Sequence, residues 1–263
     1  MRPKDWIKIV VLLVVAYFVP WLALFYLICG LLDFRRSRRF EAENWRRYFL
    51  GNGILTWILS PFNLCVDLLC RPNLGVYELD DLPPDAQVEV RELMSIAEAR
   101  KPEIIAELSQ RMESTKRGMI FFKWYGRDIK NQSFDLPEFH QQFRYLRTVG
   151  VSIFNKNQKT SVHYGPLRAT LRVLYNLVPL DNDEVYITAG DQTHLWRNNP
   201  LFIFDDTLVH QSVNGSDQLR YCMFVDILRP TRNLALLGSI LAGLKVLIMS
   251  FNRVFYKNWE MIK

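Results

Sequence analysis

The chain has 263 residues, 49% of them apolar, and a formal net charge of +6. Its four cysteines, Cys29, Cys65, Cys70 and Cys222, show no CxxC and no disulfide framework, which points to a reducing compartment. Positive charge suits nucleic acid or an anionic membrane, and its placement decides against nucleic acid: Arg35, Arg36, Arg38, Arg39, Arg46 and Arg47 crowd directly behind an apolar run.

That run, Trp6 to Leu32, exceeds the roughly 20 residues a spanning helix needs. A cleaved signal peptide fits poorly, because its apolar region is only about 7–15 residues and no small-residue cleavage site follows here. Pro20 leaves two conformations open: one kinked span, the preferred reading, or a helical hairpin that dips in and returns. The positive-inside rule puts the Arg35–Arg39 cluster on the cytoplasmic side. Arg2, Lys4 and Lys8 place charge at the other end as well and argue for the hairpin.

Residues 48–70 form a second apolar stretch, broken at Gly51, Asn52, Gly53 and Pro61, which predicts an interfacial helix pair. Residues 234–251 form a third. It is just long enough to span, but Lys245 would then lie deep in the bilayer at a cost of about 2.5–3.5 kcal/mol. An interfacial helix lets that lysine snorkel, with Arg253, Lys257 and Trp259 at its interfacial end.

The folded body lies between, over 74–231. Pro83-Pro84-Asp85 starts a helix with apolar positions at Val88, Val90, Leu93, Met94, Ile96 and Ala97. Pro102 starts another through Ile104, Ile105, Leu108 and Met112. Short β-rich runs follow: Met119–Tyr125, Thr148–Phe154, Leu171–Leu177, Val185–Thr188, Leu201–Phe204 and Tyr221–Leu228. Turn clusters at Asn155–Gln158 and Asp181–Asp183 separate some of them. Helices followed by many short strands predict an α+β chain built on a β-sandwich or jelly roll, flanked by membrane-embedded or interfacial helices. The expected organisation is membrane-anchoring segments with a basic collar over 1–73, this body over 74–231 and a membrane-associated helix over 232–263.

Four histidines occur in the chain, and two stand in informative settings. His163, before Tyr-Gly-Pro, belongs at a strand end where a turn begins. His210 lies just past Phe202-Ile203-Phe204-Asp205-Asp206. Either alone is as readily a turn-capping side chain as a ligand, but strands of a small barrel can bring both to one interior point. Imidazole suits iron, zinc, copper and nickel, and the facial triad of non-haem Fe(II) adds a carboxylate, often as His-x-Asp. Here Gly165 holds that position; Asp205 and Asp206 could substitute, though orienting the turn is the simpler role. Arg220 could clamp a carboxylate with its planar fork. Arg172, between Leu171 and Val173, points to the face opposite theirs, into solvent or into a polar pocket. The aromatic cluster around Trp124 reads as core packing.

Taken together, Phe121-Phe122-Lys123-Trp124-Tyr125-Gly126, Ser152-Ile153-Phe154, His163-x-Gly165-Pro166, Leu171-Arg172, Ile203-Phe204-Asp205-Asp206 with His210, and Arg220 running into Val225–Pro230 resemble the aspartyl/asparaginyl β-hydroxylase family, which includes bacterial lipid A hydroxylases. The resemblance covers Phe121 to Pro230. It implies a double-stranded β-helix, cupin-like, that binds Fe(II) and 2-oxoglutarate and consumes dioxygen. His163 and His210 would ligate iron, and Arg220 with Ser152 would hold the distal carboxylate of 2-oxoglutarate. Trp124 and Arg172 would line the cosubstrate pocket. Gly165 agrees with the animal hydroxylases and departs from the lipid A enzymes, which carry His-x-Asp. Leu174 stands where the family usually has a histidine, so one contact to the metal-side carboxylate of 2-oxoglutarate would have to come from elsewhere, with Asn176 or Arg168 as candidates. The apolar flanks favour hydroxylation of a membrane lipid, lipid A or an ornithine-type lipid, at the cytoplasmic face of a bacterial inner membrane. The alternatives are hydroxylation of an Asp or Asn side chain in a protein, halogenation at the open ligand position, or a scaffold that has lost turnover.

Overall fold

A computed structural model describes residues 3–110, 117–129, 134–250 and 260–261. The first apolar run forms α1 (Pro3–Phe18) and α2 (Pro20–Phe34), followed by α3 (Ala42–Leu50), α4 (Ile54–Ile58) and α5 (Ser60–Leu69). Helix α1 stops because the residue before a proline is pushed out of helical geometry, and Val19 sits at φ −135°, ψ 63°.

The run then doubles back. Asp5 pairs with Arg46 at 3.2 Å and Lys8 reaches the carbonyl of Leu50, while the Phe34 ring packs 4.4 Å from Trp45 and 5.4 Å from Tyr48. A straight helix over that length would separate its ends by about 45 Å, against about 13 Å for α3, so both ends can meet α3 only if the run is a hairpin. The single kinked span is therefore corrected to the hairpin. Among the described residues, no helix is long and apolar enough to cross a membrane. Both arms keep large apolar side chains exposed, Trp6, Val10, Leu13, Phe18, Trp21, Phe25 and Ile28 among them.

The arginine cluster is also more internal than its sequence suggests. Arg36 pairs with Asp205 at 2.9 Å, Arg46 with Asp5, and Arg47 with Glu43. Deeper still, Arg168 is fully buried among Asp33 of α2, Asp67 of α5 and Asp205, and Arg229 shares Asp67 at 2.5 Å. Buried charges persist only when paired and hydrogen-bonded. This network fastens the end of the hairpin to the body.

In the body, β1 (Val76–Tyr77) precedes α6 (Pro84–Ala99) and α7 (Lys101–Gln110), and β2 (Arg117–Trp124) is followed by the short β3 (Arg127–Asp128). Eight strands come next: β4 (Leu146–Phe154), β5 (Gln158–Lys159), β6 (Thr170–Asn176), β7 (Val185–Ala189), β8 (Gln192–Leu195), β9 (Leu201–Phe204), β10 (His210–Asn214) and β11 (Arg220–Leu228). The pairing is nested and antiparallel: β4 with β11, β5 with β10, β6 with β9, β7 with β8. A long hairpin rolled on itself gives this pattern, with sheet orders β9-β6-β11-β4 and β5-β10-β7-β8, and that is a jelly roll. The expected double-stranded β-helix is present.

The pleat sorts side chains between two cores. On β6 and β11, Leu171, Val173, Met223, Val225 and Ile227 pack outward against Val90, Leu93 and Ala97 of α6 and Ile104 and Leu108 of α7. Leu174, Cys222 and Phe224 turn inward, with Ile187, Trp196 and Phe204. The third apolar segment forms α8 (Leu234–Ser250), whose Leu237 and Leu241 join the outer core. The side chain of Lys245, and Met112, Arg253, Lys257 and Trp259, lie outside the described residues.

Candidate active site

His163 is not on a strand. It forms an isolated antiparallel bridge with His210, the first residue of β10, through backbone bonds of 3.0 and 2.9 Å. The two rings are thereby brought to 4.1 Å between centroids. Each Nδ1 lies against a carbonyl, Ser161 O at 2.6 Å for His163 and Leu208 O at 2.8 Å for His210. A carbonyl only accepts, so Nδ1 carries the proton and Nε2 keeps its lone pair. Burial, slightly opposed by the Ser161 carbonyl, lowers His163 to about 4. Burial and the neighbouring His163 hold His210 well below the usual imidazole range. Both rings are therefore neutral at pH 7, the form that binds metal.

Helices α3–α5 hold this loop from behind. Asn52 Nδ2 donates to Val162 O at 2.7 Å, Thr56 Oγ1 to Gly165 O at 3.0 Å and Asn63 Nδ2 to Pro166 O at 3.0 Å. Tyr164 and Val209, each next to a histidine in sequence, pack with Phe34, Tyr48 and Trp57. Gly53 permits the approach, since a Cβ there would strike the Tyr48 backbone and the Tyr164 ring. The hairpin end and the histidine loop thus share one small core.

Both histidines line a cavity of about 400 Å³ between the sheets. Of the residues singled out from sequence, Ser152, Arg172 and Arg220 line it too, whereas Trp124 does not. Trp124 packs behind Phe121 at 4.6 Å, and its neighbour Tyr125 faces the cavity instead. Tyr125 and Gly126 have φ of 43° and 77°, the tight turn between β2 and β3 that aims the tyrosine there. Arg172 does turn into the polar pocket: Nε meets Asp226 at 2.7 Å, Nη2 meets Asp206 at 3.0 Å, and the guanidinium lies 3.7 Å over Phe224. Ser152 Oγ donates to Cys222 O at 3.1 Å, and Leu174 forms apolar wall.

Asp206 is the residue the sequence undervalued. Its carbonyl accepts from Gly165 N at 2.7 Å, and its carboxyl fills the space that a Cβ on Gly165 would need. Burial, with Asp226 and Asp205 adding and Arg172 opposing, raises it to about 7. Asp205 does the opposite job. Burial acts against its charge, but Arg36, Arg168 and the Thr207 hydroxyl hold it at about 2, as a strut.

Arg220 marks another part of the cavity. It is buried, donates from Nη1 to Ser212 Oγ at 2.7 Å and stacks 4.2 Å from Trp196. Its Nη2 reaches Cys222 Sγ at 3.4 Å, but among the described residues no carboxylate pairs with it, and its buried Nε has no hydrogen-bond partner. Burial, opposed by Cys222, depresses its basicity. A guanidinium so placed is complementary to a carboxylate ligand. Among the described residues no three His, Cys, Asp or Glu side chains converge as a metal site, and the two neutral imidazoles are the nitrogen donors that would be available to an ion here. Two Nε2 donors and a separate unpaired cation in one cavity fit a metal chelated by a small dicarboxylate.

The family model described as aspartyl/asparaginyl beta-hydroxylase matches residues 86–230, more than half of the sequence. The chain belongs to this family. The matched segment runs from α6 to just past β11, so this β-hydroxylase family member carries its helical hairpin outside the shared part. An ornithine lipid ester-linked acyl 2-hydroxylase of Rhizobium tropici is 33% identical over 94 residues, which spans 35% of this chain and only 34% of that relative. Solved structures similar in part include TT1209 from Thermus thermophilus, at 15% identity over 48% of this chain and 95% of that one, TM-score 0.30. Another is a 2OG-Fe(II) oxygenase family oxidoreductase from Burkholderia pseudomallei, at 11% identity over 33% and 44%, TM-score 0.27.

Proposed function

We propose that this hydroxylase uses Fe(II) and 2-oxoglutarate to hydroxylate an acyl chain of a membrane lipid. The carrying observation is the pairing, in one cavity, of two neutral imidazoles with a buried arginine that no protein carboxylate compensates among the described residues. His163 and His210 would hold the metal through Nε2, and Arg220 would take the distal carboxylate of 2-oxoglutarate, with Ser152 beside it. When bound, the iron supplies the oxidation: dioxygen gives one atom to the substrate C–H as hydroxyl and one to succinate, while carbon dioxide leaves. Asp206 stands on the side that Gly165 leaves open, where its carboxyl can accept or return a proton. Arg172 fixes that carboxyl, and Leu174 and Phe224 keep the wall apolar and dry. Trp124 packs on Phe121, which in turn packs on the lining Phe224 at 5.8 Å.

The lipid reading draws on the hairpin and on the name of the Rhizobium tropici relative. A hairpin with two apolar arms of about 23 Å suits insertion into one side of a membrane, with the arginines after α2 at its surface. We place it at the cytoplasmic face of the inner membrane. The test is succinate release by the full chain with Fe(II) and 2-oxoglutarate, beside lipid mass spectrometry of cells with and without the gene. A one-oxygen shift in one lipid class is the expected outcome, lost with His163→Ala and His210→Ala. Turnover that survives both substitutions would overturn the assignment. Turnover with no shift in any lipid would move the substrate to a protein Asp or Asn side chain.

A further inference from the structure

A second cavity, of about 840 Å³, adjoins the catalytic one and shares Gly51, Asn52, Thr160 and Ser161 with it. Its basic lining comes from three separate parts of the fold: Lys8 on α1, Arg46 and Arg47 on α3, and Lys159 on β5. Asp5 is the only acid among its lining residues. Asp5 and Glu43 offset Arg46 and Arg47, with Arg46 Nη1 to Asp5 at 3.2 Å. Lys8 and Lys159 have no acidic partner among the described residues; Lys8 Nζ donates only to Leu50 O. The proposed catalysis leaves this cavity unused.

We infer that this vestibule binds the anionic headgroup of the lipid substrate, a phosphate or a carboxylate, while the acyl chain enters the catalytic cavity. The inference rests on the lipid reading above. A chain hydroxylated at the carbon beside its ester carbonyl has its headgroup only a few bonds from the reacting carbon. A headgroup site must then adjoin the histidine cavity, and this one does, across the Gly51–Asn52 corner and the 160–161 strip, with Val162 and Gln211 next to the histidines in sequence. On the catalytic side the corner is apolar, with Ile54 and Leu55 beside the Tyr164 ring, as an acyl chain requires. Lys8 ties the vestibule to the membrane hairpin itself, so the headgroup would be met where the hairpin emerges.

The test is binding of short-chain probes to the detergent-solubilised full chain by calorimetry, in three arms. Dihexanoyl phosphatidic acid carries a phosphate, an N-hexanoyl amino acid carries a carboxylate, and dihexanoylglycerol carries neither. The anionic probe of the right class should bind about ten-fold tighter than the neutral one, with the difference shrinking as salt rises. Lys159→Glu, at an exposed position on a short edge strand, should remove most of that difference and leave dihexanoylglycerol binding unchanged. Lys8→Gln should act in the same direction. Equal binding of all three probes, or a Lys159→Glu loss that is the same for charged and neutral probes, overturns the vestibule assignment. Hydroxylation of lipids regardless of headgroup charge would refute this inference alone. Failure to bind or hydroxylate any of them would refute the lipid reading with it.

Discussion

Gly165 and Asp206 occupy one position between them: the amide of Gly165 donates to the carbonyl of Asp206 at 2.7 Å, and the Asp206 carboxyl sits where a side chain at 165 would begin. The space that the side chain of a His-x-Asp sequence would enter from the first histidine loop is taken here by a carboxyl from the second, which does not converge with the imidazoles as a three-ligand site among the described residues. Gly165→Asp should therefore not build a better metal site. It forces two carboxyls into one space, with an overpacking cost of about 1–3 kcal/mol before any charge repulsion. The expected outcome is a lower Tm and weaker Fe(II) or Co(II) binding. The exchange Gly165→Asp with Asp206→Gly should recover about half or more of the lost stability, because neighbouring substitutions are not additive. A single Gly165→Asp variant as stable as the parent, with tighter metal binding, would defeat this account.

Arg220 makes a prediction of two opposite signs. A buried cation without a counter-charge is a cost to the empty fold, so Arg220→Met should leave stability unchanged or raise it by about 1–2 kcal/mol. The same change should remove the 2-oxoglutarate-dependent rise in Tm shown by the parent, since only a ligand that binds the native state stabilises it. Arg220→Lys keeps the charge but loses the fork, and its KM for 2-oxoglutarate should rise about 100-fold with kcat less affected. If the Met variant unfolds at lower temperature yet still responds to 2-oxoglutarate, the arginine is structural.

The sequence revealed the large sheet more fully than the small one, for a physical reason. β4, β6, β9 and β11 carry apolar side chains on one face against helices and on the other against the interior, so they read as dense β-branched and aromatic runs. β5, β8 and β10 consist of Gln158–Lys159, Gln192–Leu195 and His210–Asn214, whose side chains meet solvent or a polar cavity. Little hydrophobic pattern remains to mark them. The histidine pair and Arg220, which line one cavity, stand out by residue type and order. Asp206 stands out only as one of two acids after a strand, because its place depends on a contact across the chain with Gly165. Choosing span or hairpin was beyond the apolar pattern, which is the same for both; the contacts of Asp5 and Lys8 with α3 decide it.

Asp205 sets the acid limit of the docked state. Its carboxyl is held at about 2 by Arg36 and Arg168 against the cost of burial, below an ordinary value of 3.8. A depressed carboxylate contributes stability that is complete above the unfolded value and lost as pH falls through the folded one. From about pH 4 down to about pH 2 the protein should thus lose about 2 kcal/mol through this group alone. Asp205→Asn should lower stability by about 3 kcal/mol at pH 7, since it leaves Arg168 and Arg36 short of a partner, and should flatten the acid slope. Urea unfolding at pH 7, 5 and 3 measures both effects. A slope unchanged by the substitution would assign the acid sensitivity to other carboxylates.

The hairpin makes a topological prediction that a span cannot share. Lys4, in the first turn of α1, and Arg38, a few residues past α2, mark the two ends of the hairpin, and both ends meet α3, so positions 4 and 38 must lie on one side of any membrane the arms enter. Lys4→Cys and Arg38→Cys, each in a background where exposed Cys65 is Ser, should react with a membrane-impermeant maleimide from the same face of sealed vesicles. A cysteine at position 19, at the tip between the arms, should resist the reagent until detergent is added. Labelling of positions 4 and 38 from opposite faces would restore the kinked span. It would also pull Lys8 away from Arg46, Arg47 and Lys159, and the vestibule beside the histidines would lose its α1 wall.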